Sequence, residues 1–536
     1  MQQQDHAAHA GSGGLLPQSE ASVVVIGAGI AGLSAALTLA EAGLSPLVLE
    51  ANPDYCGGRF GGQPSVEFEF QGRRWSFPGE HGIHGLWSQY HNLRALMTRF
   101  GVEPSLAWSQ RQDWVYADAR GVWKAEIGRK LRTSPLPAPF HFLSLLSDLN
   151  FLRMLGPLDL LRIPWVGMGM LTMLAIDPAR EGERVAEMSV RDFLFGWPKM
   201  LRAFAGALSR SGLSTSSGEV PISGFIALFR FYSLLRRDSV GFQHLRGDPG
   251  RHIIEPMLEA LAKRGGHVVY GITATELTQR EGDAWTVRWE ASGAEATGDI
   301  DCRHVVLAVD ASAAKQILSN SPQLAAQTGN LTFPEGRATS IVRLWFKTCP
   351  RVVAEGGMFG GDFVLDNFFW LHLFQDDFME WRRQTGGGAV ECHVYGPPEL
   401  LAQPDETLLA LAVRDVVKAY PELRGQLVHG VIQRDPATHT LFHVGQADRY
   451  LGVTTPWDGL YCCGDWVRHE TPSLFLERSC VTGLAAANEA LRRRGLETVP
   501  LLSYTPPELT AAALEAALRT VRRFFEAAAR LTLSRK

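Results

Sequence analysis

The chain has 536 residues, 46% of them hydrophobic and 20% charged, and a formal net charge of −4. That length exceeds what one core organises, so two or more domains are expected, and the composition excludes disorder as the main state. The charge balance offers no nucleic-acid surface, and seven scattered cysteines without paired Cys-x-x-Cys spacing fit a reducing cytoplasm.

Met1 to Glu20 is polar and glycine-rich and is expected as a disordered tail; it lacks the apolar stretch of a signal peptide. Val23-Val24-Val25-Ile26 is a short β-branched run that reads as a buried parallel strand. Gly27-Ala28-Gly29-Ile30-Ala31-Gly32 follows at once, and Leu33 to Ala42 reads as a helix. Pro46 breaks it, and Leu47-Val48-Leu49 makes a second strand ending on Glu50. Gly27 serves the tight turn, Gly29 the close approach of a pyrophosphate, and Gly32 the packing of helix on strand. The helix start, with Ile30 and Ala31, turns free N–H groups and partial positive charge toward the phosphates. Glu50 lies 18 positions after Gly32, where its carboxylate can accept from a ribose diol; a 2′-phosphate would be repelled, which disfavours NADP.

Gly57-Gly58-Arg59 then adds two flexible backbone positions and one cation. This run resembles the GGR continuation of the FAD-dependent amine oxidase and phytoene desaturase superfamily. The resemblance implies FAD as the dinucleotide, with Ala51, Gly58 and Arg59 in its binding set.

Glu67 to Phe70 alternates like a strand, and Glu80-His81-Gly82-Ile83-His84 fits the superfamily pattern of acid, any residue, Gly, any residue, His. The ordinary reading is a polar turn with two surface histidines. The functional one makes Glu80, His81 and His84 candidates for proton transfer or flavin contact. No second His/Cys cluster accompanies them, which disfavours a metal. Leu86 to Met97 continues as an expected helix with an apolar stripe.

Pro135 to Ile176 is strongly apolar and punctuated by Pro and Gly, with a longest charge-free run of 14 residues, Ile163 to Ile176. A bilayer span needs roughly 18 or more. Two readings stand: a buried helical subdomain lining a substrate tunnel, or an interfacial segment dipping into one leaflet. Ser189 to Arg237 reads as further helices, and Ile253 to Lys263 as a helix capped by Gly265-Gly266. His267 to Tyr270 and Cys302 to Val309 are expected strands of the first sheet. The hairpin between them resembles one whose backbone contacts adenine in the superfamily; Ala274 is the position carried over. Ser340–Phe346 and Ala389–Tyr395 look like antiparallel strands of a second domain, and Asp405 to Ala419 like a helix.

Leu460-Tyr-Cys-Cys463 is a strand that meets Gly464-Asp465, and Pro472 to Gly483 opens an alanine-rich helix. Alternation would point Cys462 and Cys463 apart, which favours packing over a redox pair. Asp465 can take ribityl hydroxyls or order water near the pyrophosphate. The helix start at Leu476 can stabilise negative charge on a reduced flavin ring. In the tail 506–536, Leu514 to Leu531 is an amphipathic helix with Arg519, Arg522, Arg523 and Arg530, equally readable as packed on the body or bound to a membrane surface.

A narrower resemblance rests on three runs. His81 to Arg94, Ala389 to Pro398, and Gly464-Asp-Trp466 with Leu476-Glu-Arg-Ser479 are similar to segments of carotenoid β-ring desaturase/methyltransferases of the isorenieratene-synthase type. Leu86-Trp87 replaces a Phe pair and Ser479-Cys480 an Ala pair, departures that bear on the ring substrate. The resemblance implies hydride abstraction from an allylic carbon of an apolar carotenoid, then methyl shift and proton loss toward an aromatic end group. An acyclic carotene desaturase or isomerase, a flavin amine oxidase, or an inactive flavin-holding partner would share the same anchors. The electron acceptor is not specified.

The expected fold is α/β. A three-layer Rossmann-type FAD-binding domain with a parallel sheet is assembled from 21–134, 240–310 and 456–500. Residues 135–239 form a helical apolar, membrane-facing subdomain, and 311–455 an α+β substrate domain with an antiparallel sheet. The expected location is cytoplasmic, peripherally membrane-associated.

Overall fold

A computed structural model describes residues 17–181, 185, 187–213, 215–293, 296–351, 354–440 and 449–533. The first sheet has seven strands in the order His267–Tyr270, Pro46–Glu50, Glu20–Ile26, Thr297–Leu307, Trp285–Ala291 and Ile272–Gln279, with Leu460–Cys462 also on Thr297–Leu307. Its centre is parallel, with Val24 opposite Leu47 on one side and Val305 on the other, and Val305 opposite Leu460. Val23, Val24 and Val25 are fully buried, as strands covered on both faces require. Helix Ile30–Glu41 lies on this sheet and packs closely against helix Phe475–Arg493. The contact is close because Gly483 faces Ala31: a Cβ on Gly483 would stand 2.3 Å from the Ala31 carbonyl oxygen.

The second sheet is mostly antiparallel, in the order Leu427–Thr440, Gly336–Phe346, Gly388–Val394, Asn367–Phe369, Gly356–Gly361, Gln112–Asp118 and Gly121–Glu126. Here the expected boundary shifts. The hairpin Gln112–Glu126 lies within 21–134, yet it completes the substrate-side sheet through parallel pairing of Gln112–Ala117 with Gly356–Gly361. The hairpin Gly62–Glu80 also packs toward this domain, its Trp75 and Phe77 buried with Trp345, Phe378 and Trp381. Long-range strand pairing decides the first placement and aromatic packing the second.

Smaller differences have local causes. Glu20 belongs to the first strand, opposite Asp301, rather than to the tail; residues 1–16 lie outside the described set. The helix expected over Leu86–Met97 is a short strand, Gly85–Trp87, and then a helix, His91–Arg99, because Gly85–Trp87 pairs with Phe242–Leu245. Helix Ile253–Lys263 begins as a π turn at Gly250–Ile254 and continues as Glu255–Ala262, with Gly265 at φ +80°. Helix Asp405–Ala419 and the antiparallel pair Gly336–Phe346 with Gly388–Val394 form as expected. All seven cysteines are free, and Cys462 and Cys463 are fully buried.

The helical apolar region includes Leu149–Met154, Ile163–Ala175, Lys199–Leu213 and Ile222–Phe229, of which Leu149–Met154 and Lys199–Leu213 contact the second sheet. Pro157–Ala175 is, among the described residues, long and apolar enough to cross a membrane by length and composition. It exceeds the charge-free run because a 3-10 turn, Pro157–Arg162, precedes the α-helix and carries the Asp159–Arg162 ion pair. The C-terminal helix Leu509–Leu533 docks against Ile163–Ala175. Arg519 reaches Asp177 at 3.2 Å and its own Glu515 at 2.6 Å, and Arg522 pairs with Glu181. Arg230 also reaches Glu515, at 2.5 Å. One face of this helix is therefore packed on the body, while Leu509, Val521 and Phe524 stay exposed.

Candidate active site

The site is built from the first strand outward. Gly27 turns the chain at φ +100°, and a Cβ there would lie 2.7 Å from the Ala308 carbonyl oxygen. A Cβ on Gly32 would lie 2.0 Å from the Gly27 carbonyl oxygen, so this glycine sets how closely helix meets strand. Gly29 differs: its Cβ would meet nothing nearer than the Gly57 oxygen at 3.9 Å, and it faces the cleft. Gly29 is the N-cap of helix Ile30–Glu41, with no side-chain cap and no acidic residue in the first turn. The positive helix end and its free amides thus open onto the cleft, beside Ile30 and Ala31.

Glu50 and Ala51 stand at the edge of this cleft. The Ala28 and Asn52 amides donate to the Glu50 carboxylate at 3.0 and 2.8 Å. Burial raises its pKa and these amides oppose the rise. The carboxylate is thereby fixed in place, with lone pairs left for a ribose. Gly58 and Arg59 follow in a 3-10 turn, tied back by the Gly57 amide to the Ala28 oxygen at 2.9 Å. Arg59 donates to Asp465 at 2.6 Å, joining the Gly-Gly-Arg turn to the Gly-Asp turn. Gly464 stands at φ +142°, its amide donating to the Thr482 hydroxyl at 3.0 Å. Ala274, from the antiparallel hairpin, and Leu476, from the start of helix Phe475–Arg493, complete the cleft wall. Phe475 holds φ +54°, a conformation that costs a non-glycine residue and turns the chain into this helix.

A cavity of about 1280 Å³ joins this cleft to a chamber in the helical region. His81, Gly82, Ile83 and His84 line it midway. The His84 ring stands edge-on to Phe60 at 5.1 Å, and burial, with His393 and Arg59 nearby, lowers its pKa to about 4. It is therefore a neutral imidazole at pH 7. His81 Nε2 is 3.7 Å from the Asp435 carboxylate, which also accepts from Gln433 at 2.8 Å and Thr339 at 3.2 Å. Glu80 does not line the cavity. Its carboxyl is buried behind the wall and accepts from Gln375 at 2.6 Å. Burial, then the nearby Glu391 charge, pushes its pKa up to about 8.

Sequence reasoning missed the polar array next to His81. Glu391 accepts from the Ile83 amide, from Arg343 Nε and from His393 Nε2, each at 2.7 Å. His393 Nδ1 meets the Tyr395 hydroxyl at 2.9 Å. These residues lie in the run Ala389–Pro398, whose polar positions alternate in an otherwise apolar strand; that alternation was the available signal. Beyond them the wall becomes aromatic and aliphatic. Trp87 packs on Tyr232 at 4.7 Å, Tyr232 bonds Tyr90 at 3.1 Å, and Leu143, Met170 and Leu171 continue the chamber.

An elongated cleft with a glycine opening, an uncapped helix start, a fixed acid and an Arg–Asp clasp fits a dinucleotide with a flavin ring toward the apolar chamber. Fold and site thus define an FAD-dependent oxidoreductase. The family described as flavin containing amine oxidoreductase matches residues 30–491, and the chain belongs to it. It is 29% identical over 492 residues to the carotenoid phi-ring synthase of Streptomyces griseus, covering 89% of this chain and 88% of that one. It is 22% identical over 604 residues to the carotenoid phi-ring synthase of Chlorobaculum tepidum, covering 89% and 90%. The fold matches cyclohexylamine oxidase from Brevibacterium oxydans with a TM-score of 0.62 at 16% identity, over 89% of this chain and 100% of that one.

Proposed function

We propose that this protein desaturates an apolar isoprenoid beside FAD, converting the β-ring of a cyclic carotenoid into an aromatic end group. The observation that carries the reading is the continuous cavity leading from the dinucleotide cleft into a chamber walled by aromatic and aliphatic side chains. A chamber with those walls suits a hydrocarbon and excludes water from a cationic intermediate. The near full-length likeness to two carotenoid phi-ring synthases supports the ring-directed choice.

The flavin, when bound, supplies the hydride acceptor. The protein's own residues do the rest. The uncapped helix start and Arg59 hold the pyrophosphate side, Glu50 the ribose, and the Gly464-Asp465 turn the flavin end. Trp87, Tyr232 and Phe475 offer ring faces against which a substrate ring can lie. His84, neutral at pH 7, adds no charge to compete with the developing cation.

The protein works in the cytoplasm at a membrane surface in this reading. Leu158, Leu161, Trp165, Met168 and Phe195 are 59 to 80% exposed on the helical region, a costly arrangement in water alone. Met173 and Leu174, at the end of the same helix, are buried in the body, which favours an in-plane docking over a crossing.

The test is the pigment profile of a host expressing the chain. A β-carotene producer should gain products lighter by whole hydrogen pairs with no added oxygen, and a lycopene-only host should show no change. Conversion of lycopene or phytoene with β-carotene untouched would reject the ring-directed reading in favour of an acyclic desaturase.

A further inference from the structure

A desaturation releases a proton as well as a hydride, and the proton needs an acceptor on the cavity wall. Of the carboxyls that line the cavity, Glu50 and Asp465 belong to the dinucleotide cleft. Asp310 caps its own helix, accepting from the Ser312 and Ala313 amides at 2.9 and 3.1 Å. Asp113 lies five strands away from Asp435 in the second sheet. At about 4.8 Å per strand that is roughly 24 Å. Asp435 stands beside His81, where the cleft passes into the chamber.

The strands put it there. Asp435, on strand Leu427–Thr440, lies directly opposite Thr339 of Gly336–Phe346. The pairing slips between Arg337 and Thr339, and an irregularity of that kind re-aims the side chains beside it. Gln433, two positions earlier, shares the Asp435 face. The Thr339 hydroxyl and the Gln433 amide donate to different oxygens of the carboxylate, at 3.2 and 2.8 Å. An ionised carboxylate has about four acceptor sites, so each oxygen keeps one. His81 Nε2, at 3.7 Å, is beyond hydrogen-bond reach.

The Asp435 side chain is only 4% exposed, and among the described residues no Lys or Arg pairs with it. A buried carboxylate without a cation is costly to keep, unlike Glu391, which Arg343 holds at 2.7 Å. Burial raises the Asp435 pKa to about 6 and Glu391 adds to the rise, while Gln433, Thr339 and His393 oppose it. The group is therefore ionised at pH 7 and close enough to neutrality to take a proton and return it. It is a stronger base than His84, whose pKa is about 4.

We propose that the Asp435 carboxylate accepts the proton released by the substrate, with Thr339 and Gln433 as its positioning residues. The inference rests on the reading of the protein as a carotenoid desaturase. Loss of hydride from an allylic carbon to FAD leaves a carbocation on the substrate. A C–H bond on the adjoining carbon then breaks, and its electron pair forms the new C=C bond. The proton bonds to an Asp435 oxygen, so the positive charge of the substrate and the negative charge of the wall disappear together. The carboxylic acid then gives its proton to water that enters as product leaves.

The experiment uses the purified full-length holoenzyme in liposomes with β-carotene, lycopene or phytoene, and scores single-turnover product by chromatography. Asp435→Asn should keep one FAD per chain and bind pigment normally, yet form product at least 100-fold more slowly, the scale of a lost general base. Asp435→Glu should recover part of the rate. The wild-type rate should fall as pH drops through about 6, and the residual rate of Asp435→Asn should lose that step. Gln433→Leu deletes a bond that favours the charged form, so it should move the step to higher pH, which a merely structural glutamine would not do. Without substrate, the infrared band of a protonated carboxyl should appear as wild type is titrated through pH 6 and be missing from Asp435→Asn. An Asp435→Asn rate within threefold of wild type, or the same pH step in both, overturns the proposal. If Asp435→Asn fails to retain flavin, Gln433→Leu decides: an unmoved step overturns the proposal. A wild-type chain that converts lycopene rather than β-carotene overturns the ring assignment, and the variants are then scored on lycopene. A wild-type chain that converts none overturns both.

Discussion

Arg59 and Asp465 meet at 2.6 Å across 406 positions of sequence, and both line the cleft beside the glycine turn. The Asp465 side chain is 7% exposed and the Arg59 side chain 29%, so the pair is partly shielded from solvent. Asp465→Asn keeps the shape and removes the charge. FAD retention should weaken by about 1–3 kcal/mol, roughly five- to 150-fold in affinity. Flavin release on dilution, followed by fluorescence, measures it; unchanged retention would remove this pair from the binding machinery.

Two glycines three positions apart should fail in different ways. Gly29→Val places a side chain in open cleft, so the protein should fold and lose FAD. Gly32→Ala drives a methyl to 2.0 Å from the Gly27 oxygen and should cost fold stability instead. Urea unfolding of the flavin-free proteins separates the cases. Equal destabilisation by both substitutions would count against the separate roles.

Glu80 should impose a pH dependence on stability. Its folded pKa of about 8 exceeds the ordinary value near 4.5, so the native state holds a proton that the unfolded chain releases. That contribution is fully present below pH 4.5 and is lost as pH rises through 8. Glu80→Gln mimics the protonated form and can still accept from Gln375. Relative to wild type, the variant should gain stability between pH 5 and pH 8. Parallel melting curves across that range would show that Glu80 is ionised in the native protein.

Trp165 and Phe195 are 59% and 80% exposed, and the Trp165 indole N–H donates to the Phe195 carbonyl at 3.1 Å. If this face enters one leaflet, replacing both side chains by Ser should remove about 1.5–3 kcal/mol of transfer energy for each. Flotation with liposomes should then fall at least tenfold with FAD content unchanged. Equal flotation of variant and wild type would place the membrane contact elsewhere.

The strand–turn–helix from Val23 to Glu50 was legible because each constraint in it is local: a turn, a close approach, a helix start. Gly464-Asp465 was legible for the same reason. Glu80 was legible only as part of a pattern. Its side chain is turned from the cavity to Gln375, 295 positions later, which nothing near Glu80 announces. Helix His91–Arg99 shows the limit most clearly. Its N-cap, Tyr90, offers no side-chain cap, and the missing acceptor is Glu477, which takes the Asn92 and Leu93 amides at 2.9 and 3.0 Å. A cap supplied from 385 positions away leaves no mark beside the helix it starts. The Glu391–His393–Tyr395 alternation was visible, but its partners Arg343 and Asn367 come from other strands.

The clasp between Arg59 and Asp465 also sets an order of events at the ribosome. At roughly 5–20 residues per second, Asp465 leaves the exit tunnel about 20 to 80 seconds after Arg59. During that interval the central strand Thr297–Leu307 awaits its last neighbour, Leu460–Cys462, and the nascent helical region presents Leu158, Leu161 and Phe195. On the proposed cofactor assignment, flavin capture would be a late step of biogenesis, and a chain cut short before residue 465 would be born with its greasy face complete and its cofactor clasp half made.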